Sequence, residues 1–475
     1  VRAWCDRPDV TVVVDPDKEA LEITAAAEAR PGLAWVRLYN AEGAGDLLPL
    51  HVGLVPELAE VEPNNRLREA TPVESLPVTI PGVLHRSGEV DVFRVVLSSG
   101  QTLAALLDAH ETLGSPMDGV LQIVSDQGFV VAQNDDHHGL DPLVAWRAEE
   151  GGVVYVRLFA FPAEPSSTIN FAGGNEYAYR LTLTPGPLIE QVLPPDAPGE
   201  APRCLGWNLP ETGLDPANTP GLHWIADRTR TSDHEGGEEV SEQAAAGELE
   251  RDRAVVGRIA ERGESDVYRF TAKQEESLRL QVEARCFWSP LDPVLTLLDA
   301  SGNRLREVDD LARENLDVDL VWKAPADGEY RAVVTDRYGH GGGSYVYRLS
   351  LSPERPRVTL KVSSDRFVLK PGETREVAVT VDRQGGFAEE LTITAADLPD
   401  GVEGTPVVSQ ASGGTAKQVT LKLQAKEGAV FHGPIRIVGR RGDEHAPEFA
   451  ARAETRLPGR TTTQLWLTVP GPLSP

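Results

Sequence analysis

Cysteine is scarce in this chain, with only Cys5, Cys204 and Cys286 among 475 residues. Three thiols so widely spaced cannot build a disulfide framework and show no metal-ligand spacing; buried thiols are expected, with one bridge at most. Long apolar runs are missing as well. No stretch of 18 apolar residues occurs, which excludes a membrane-spanning helix of the usual kind. Basic charge is short: Lys+Arg 46 against Asp+Glu 73, a formal net charge of -27. A surface this acidic disfavours nucleic acid and anionic lipid as partners and favours solubility and cation binding. No signal peptide is recognisable after Val1, so export has to be inferred from the type of domain.

Catalytic signatures are absent too. The chain has no G-x-S-x-G, no H-E-x-x-H and no G-x-x-x-x-G-K-S/T, and His234-Glu235-Gly236-Gly237 lacks the second histidine of a zinc protease. The ten histidines are scattered through loops. A non-catalytic chain is therefore expected. Helical composition is confined to Glu242–Ala254.

What is present is the punctuation of an all-β protein: 44 Gly and 36 Pro separating short apolar runs. A hydrophobic content of 40% suffices for packed cores, and the length implies several domains. The spacing predicts tandem β-sandwich or jelly-roll domains with immunoglobulin-like sandwiches at both ends. The expected boundaries are a partial immunoglobulin-like domain over 1–56, a first sandwich over 57–186, and a linker with short strands over 187–237. A second sandwich follows over 238–354 and an immunoglobulin-like sandwich over 355–475.

The two central sandwiches read as a repeat. Gly263-Glu264-Ser265-Asp266-Val267-Tyr268 matches Gly88-Glu89-Val90-Asp91-Val92-Phe93, an offset of 263 − 88 = 175. Ser289-Pro290-Leu291-Asp292 answers Ser115-Pro116-Met117-Asp118, and Asp309-Asp310 answers Asp135-Asp136. Tyr345-Val346-Tyr347-Arg348-Leu349 answers Tyr177-Ala178-Tyr179-Arg180-Leu181. Landmarks in one order point to two copies of one fold.

The acidic run Glu60-Val61-Glu62-Pro63-Asn64-Asn65 opens the first copy. In extended chain, side chains two apart share a face, so Glu60, Glu62 and Asn64 point one way, stiffened by Pro63. Glu89 and Asp91 share a face of the next strand. Carboxylates folded together repel unless a cation relieves them, and calcium takes six to eight oxygens of this kind. A second acidic group, Asp118 with Asn134, Asp135, Asp136 and Asp141, recurs as Asp292 with Asp309, Asp310 and Asp317. It would suit another cation, and His137-His138 beside it a transition metal. Ordinary turn chemistry, with Asn and Asp bonding their own backbone, is the favoured reading of both.

These motifs resemble the bacterial pre-peptidase C-terminal domain, whose relatives include the collagen-binding domains of bacterial collagenases. The shared pattern is an acidic E-x-E-P-N-N/D lead-in, a D-x-D-aromatic strand, a D-G turn, an N-D-D loop and a G-x-Y-x-V strand. Residues 57–186 carry nearly all of it, with Glu89 replacing the first Asp of D-x-D. Residues 238–354 lack E-P-N-N and place Glu239-Val240-Ser241-Glu242-Gln243 where Glu60-Val61-Glu62-Pro63-Asn64 stood.

The resemblance implies a secreted or cell-surface protein with calcium on Glu60, Glu62, Asn64, Asn65, Glu89 and Asp91. It also implies ligand-gripping tyrosines at Tyr177, Tyr179, Tyr345 and Tyr347, although one of each pair packing inward is the simpler expectation. The expected role is adhesion, ligand binding or spacing at a bacterial surface. The alternatives are an accessory region of a secreted hydrolase, or a module for polysaccharide or collagen-like fibres.

Overall fold

The structure, a computed structural model, describes residues 1–17, 19–164, 170–194, 201–211, 214–220, 238–311, 315–442, 447–457 and 459–471. His234-Glu235-Gly236-Gly237 and Leu222–Ile225 lie outside the described residues. The chain is all-β and divides into two compact units. One joins Val1–Arg30 and Ala34–Val52 to Glu354–Pro475, and the other spans Gly53–Pro353 with Pro31–Leu33. No helix among the described residues is long and apolar enough to cross a membrane.

In the discontinuous unit, Gln418–Ala425 alternates strictly between exposed and buried positions, the pattern of a strand with one face on a core. It lies in a four-stranded sheet with Arg357–Val362, Thr374–Gln384 and Val402–Thr405. A second sheet contains Leu391–Ala396, Phe431–Arg441 and Leu465–Val469, with Arg366–Val368 paired parallel to the last. Val379, Leu391, Ile393, Leu421, Ile435 and Leu465 fill the core. The N-terminal strands Arg2–Cys5, Gly32–Tyr39 and Ala44–Val52 form a sheet of three. The buried Arg37 guanidinium ties them to the C-terminal strands: it pairs with Asp365 at 2.5 Å and sits 5.8 Å from the Trp466 ring centroid.

The continuous unit holds the two repeated sandwiches. In the first, Val130–Asn134, Met117–Ser125, Gly152–Pro162, Asp91–Leu97 and Thr71–Pro72 form one sheet. Leu143–Arg147, Thr102–Asp108, Ala178–Thr184 and Val78–Val83 form the other. The second repeats both strand orders. Arg304–Val308, Pro293–Asp299, Gly328–Asp336 and Ser265–Ala272 face Val318–Lys323, Ser277–Glu283, Val346–Pro353 and Arg253–Arg258.

The sandwiches differ in where a short parallel strand is added. Thr71–Pro72 lies beside Asp91–Leu97 in the first, and Glu238–Ser241 beside Arg253–Arg258 in the second. A hairpin, Leu188–Leu193 with Arg203–Trp207, occupies the connecting segment. Leu188 packs with Ala104, Leu106 and Leu143 of the first sandwich, and Leu193 with Val256, Phe287 and Val346 of the second.

The helix expected over Glu242–Ala254 shrinks to the single turn Glu242–Ala245, because Arg253–Arg258 is taken into the sheet. Pairing with Val346–Pro353 overrides local propensity there. No disulfide joins Cys5, Cys204 and Cys286, which are half-buried.

Candidate metal centre

The lead-in runs parallel to Val78–Val83, with Leu58 N–H donating to Thr79 O at 2.9 Å. This sets Glu60 within reach of Val83 N–H, whose bond its Oε2 accepts at 3.3 Å. The chain then crosses to the other sheet, where Asn64 O accepts the Val92 N–H at 3.1 Å. Asp91 begins that strand with its side chain turned into the interior, fully buried.

Three carboxylates converge there. Glu60, Glu62 and Asp91 each present an oxygen within 4.8 Å of the others. Asn64 holds two of them, its Nδ2 donating to Glu60 Oε1 at 2.9 Å and its backbone N–H to Glu62 Oε2 at 3.2 Å. Tyr179 closes the far side, its hydroxyl 2.6 Å from Asp91 Oδ2 and 2.9 Å from Glu60 Oε1. Asn64 Oδ1 and Asp91 Oδ1 are buried with no partner. Buried oxygens are nearly always bonded, so two orphans beside three carboxylates suit a hard cation.

The electrostatics agree. Burial first, and Glu60 next, push Asp91 up to about 9, while the Tyr179 hydroxyl pulls the other way. Burial also raises Glu62, with Glu60 and Glu89 adding to it against the Asn64 N–H. Tyr179 is raised as well, by burial and by Asp91 and Glu60.

Two expected ligands are corrected. Glu89 is near enough to act on Glu62 but caps its own turn, accepting the Arg86 N–H at 3.0 Å with the Arg86 Nε 3.7 Å off. Asn65 spends its Oδ1 on the Val90 N–H at 3.4 Å. Glu89 was placed by spacing and Asn65 by the resemblance alone, and neither registers turn bonding. Two participants were not expected at this centre. Tyr179 arrives from a strand more than eighty residues after Asp91, and Gly82 makes room for it. A Cβ at Gly82 would lie 2.3 Å from the Tyr179 hydroxyl and 2.5 Å from Glu60 Oε2.

The second copy keeps the frame and fills the centre. Glu239 pairs parallel with Ala254 just as Glu57 does with Thr79, so Glu242, not Glu239, is the counterpart of Glu60. Glu242 Oε2 accepts the Arg258 N–H at 3.2 Å, the bond Glu60 makes with Val83. Tyr347 donates to Asp266 Oδ2 at 2.5 Å, as Tyr179 does to Asp91. The phenol of Tyr268 stands where the first copy has Phe93, and its hydroxyl is 2.7 Å from that of Tyr347. The lead-in offers no counterpart of Glu62 and Asn64, since it turns into Glu242–Ala245.

The second acidic group disperses. Asp141 caps the turn His110–Leu113, accepting the N–H groups of Ala109, His110 and Glu111 at 3.0, 2.6 and 3.1 Å. Asp317 does the same for Ala284 and Arg285. Asn134 Oδ1 accepts the Leu143 N–H, and Asp135 Oδ1 the Asp136 N–H. Asp118 stays near Asp135 and Asp136, raised by burial and by their charge, and in the second copy Arg337 pairs with Asp309.

The tyrosines are corrected in part: Tyr179 and Tyr347 are buried and cannot grip a fibre. Tyr177 and Tyr345 pack half-buried against the two cores.

No family model matches the chain. Over 123 residues, 26% of this chain, it is 24% identical to a probable subtilase-type serine protease of Deinococcus radiodurans, and spans 16% of that protein's length. The M60 catalytic domain with two CBM51 domains of Clostridium perfringens ZmpB aligns at 9% identity over 72% of this chain and 43% of its own, with a TM-score of 0.15. Escherichia coli alpha-2-macroglobulin activated by porcine elastase aligns at 10% identity over 95% and 40%, with a TM-score of 0.12. The chain thus has a distant likeness, over about a quarter of its length, to part of a subtilase-type serine protease.

Proposed function

We propose that this chain is a non-catalytic, exported run of β-sandwiches in which calcium rigidifies the lead-in of the first repeated domain. Its work is adhesion, ligand binding or spacing at a bacterial surface. The observation that carries the reading is the meeting of Glu60, Glu62 and Asp91 around the orphaned oxygens of Asn64 and Asp91. Those four side chains would hold the ion, with backbone or water completing the six to eight oxygens calcium takes. Bound calcium supplies the positive charge that lets Asp91 ionise; the residues themselves fix the lead-in against both sheets.

A free-calcium to Kd ratio of roughly 1–10 contributes about 0.4–1.4 kcal/mol, enough to order a segment rather than to fold a domain. Thermal unfolding with calcium and with EDTA tests this. The midpoint is expected to fall in EDTA, and Glu60→Gln with Asp91→Asn to abolish the difference. Superimposable curves for the unaltered protein would remove calcium from the account.

A second reading, an accessory region of a secreted hydrolase, is favoured by the likeness to part of a subtilase-type protease. Both readings expect no turnover on a hydrolase substrate panel. Saturable binding on a polysaccharide or collagen array would favour a binding module over a spacer.

A further inference from the structure

The loop after Val130–Asn134 brings His137 and His138 against Glu190, which lies on the hairpin strand Leu188–Leu193. His137 Nε2 is 2.6 Å from Glu190 Oε2, and His138 Nε2 is 3.8 Å from the same oxygen. One ligand atom from each residue lies within 4.8 Å of the other two. The imidazole planes stand at 70° with centroids 4.3 Å apart, so the rings converge edge to face rather than stack.

His138 is 3% exposed and Glu190 9%. The Nδ1 of His138 is buried with no partner, and its Nε2 stands beyond hydrogen-bond reach of Glu190. With the proton on Nδ1, the Nε2 lone pair facing Glu190 is the one a metal would take. Its backbone is pinned, His138 and Asp141 exchanging N–H···O bonds of 3.0 and 3.2 Å while Asp141 caps its turn. The Trp288 ring of the second sandwich stands edge-on to His138 at 6.1 Å.

We propose that His137, His138 and Glu190 form a three-ligand site for a zinc-class transition metal, which staples the first sandwich to the connecting hairpin beside the second. The donor set is nitrogen-rich, unlike the all-oxygen group at Asp91, and imidazole with carboxylate suits zinc. Zinc bonds of 2.0–2.1 Å place tetrahedral donors about 3.3 Å apart. The observed 2.6 and 3.8 Å bracket that value, so small side-chain adjustments complete the set. His137 is partly exposed, so water could supply a fourth donor. The adjacent histidines suggest a transition metal in sequence, but turn chemistry is the favoured reading there because the third ligand follows 190 − 138 = 52 residues later.

The test uses the full chain stripped of metal, in saturating calcium. Zinc is titrated by calorimetry and cobalt by visible absorption. The expected result is saturable uptake of one ion in the micromolar range, the intense visible bands of four-coordinate cobalt, and a melting midpoint raised by about 2–5 °C. His137→Ala and Glu190→Gln should each weaken binding at least about tenfold, and the exposed Glu150→Gln should leave it unchanged. His137→Ala decides the matter if Glu190→Gln fails to fold. Absence of saturable uptake at about 100 µM zinc, a six-coordinate cobalt spectrum, or unaltered binding in His137→Ala would overturn the proposal.

Discussion

Asp91 is the side chain on which the candidate calcium centre turns. In the unfolded chain it titrates as an ordinary carboxylate, whereas the folded, ion-free protein holds its proton up to about pH 9. Between those values the folded state binds more protons than the unfolded one. As far as this group is concerned, stability of the calcium-free protein should therefore be greatest below about pH 4 and fall as pH rises from there to about 9. Calcium has to displace the proton, so its affinity should climb with pH by up to about tenfold per unit. Near pH 7, calorimetry in two buffers of different ionisation enthalpy should show about one proton released per calcium bound. Zero release would mean that Asp91 is already ionised without the metal. Gly82 gives a separate handle on the same centre. Gly82→Ala forces the Tyr179 hydroxyl and Glu60 to move, and should cost about 1–3 kcal/mol in chemical denaturation while erasing the calcium response.

Among the elements, the two lead-ins are the instructive pair. Each runs parallel to a first sheet strand and delivers one glutamate to the same backbone N–H, Glu60 to Val83 and Glu242 to Arg258. After that point one continues extended and the other coils into a turn. The aromatic two residues after the buried aspartate then decides what fills the space: Phe93 leaves the Asp91–Tyr179 pair open, while the Tyr268 hydroxyl completes a hydrogen-bonded Tyr268–Tyr347–Asp266 chain. Phe93→Tyr should therefore keep the fold and suppress the calcium-dependent shift in melting. A full response in that variant would show that the phenol does not take the ion's place.

Much of this layout was legible in sequence. Period-two alternation marked the strands, and matched landmarks marked the repeat. Glu60, Glu62, Asn64 and Asp91 followed from side chains sharing a face. Glu89 misled because a carboxylate two residues before Asp91 was free to cap a turn instead. Glu239 misled because the identity of neighbouring letters outweighed strand register, which only the parallel pairing with Arg253–Arg258 reveals. Tyr179, Gly82 and Glu190 were hidden by distance along the chain.

At the scale of the molecule, Gly53–Pro353 makes one compact unit containing both repeats, their hairpin and both candidate metal sites. A fragment spanning 53–353 should fold cooperatively and keep the calcium shift, within about 1 °C of its value in the whole chain. A molten fragment with exposed apolar surface would show that the segments outside it are needed for its core.

The discontinuous unit sets a timetable for biosynthesis. Arg37 waits for Asp365, 328 residues downstream, and Trp4 and Tyr39 for Trp466. Closing so long a loop is entropically expensive for an unstructured chain and cheap once the intervening stretch has collapsed. On the ribosome the first strands must therefore emerge unfinished and stay so until the last ones follow. During that interval the nascent N-terminal sheet presents open edges, which makes it the part of the molecule with most to gain from a chaperone.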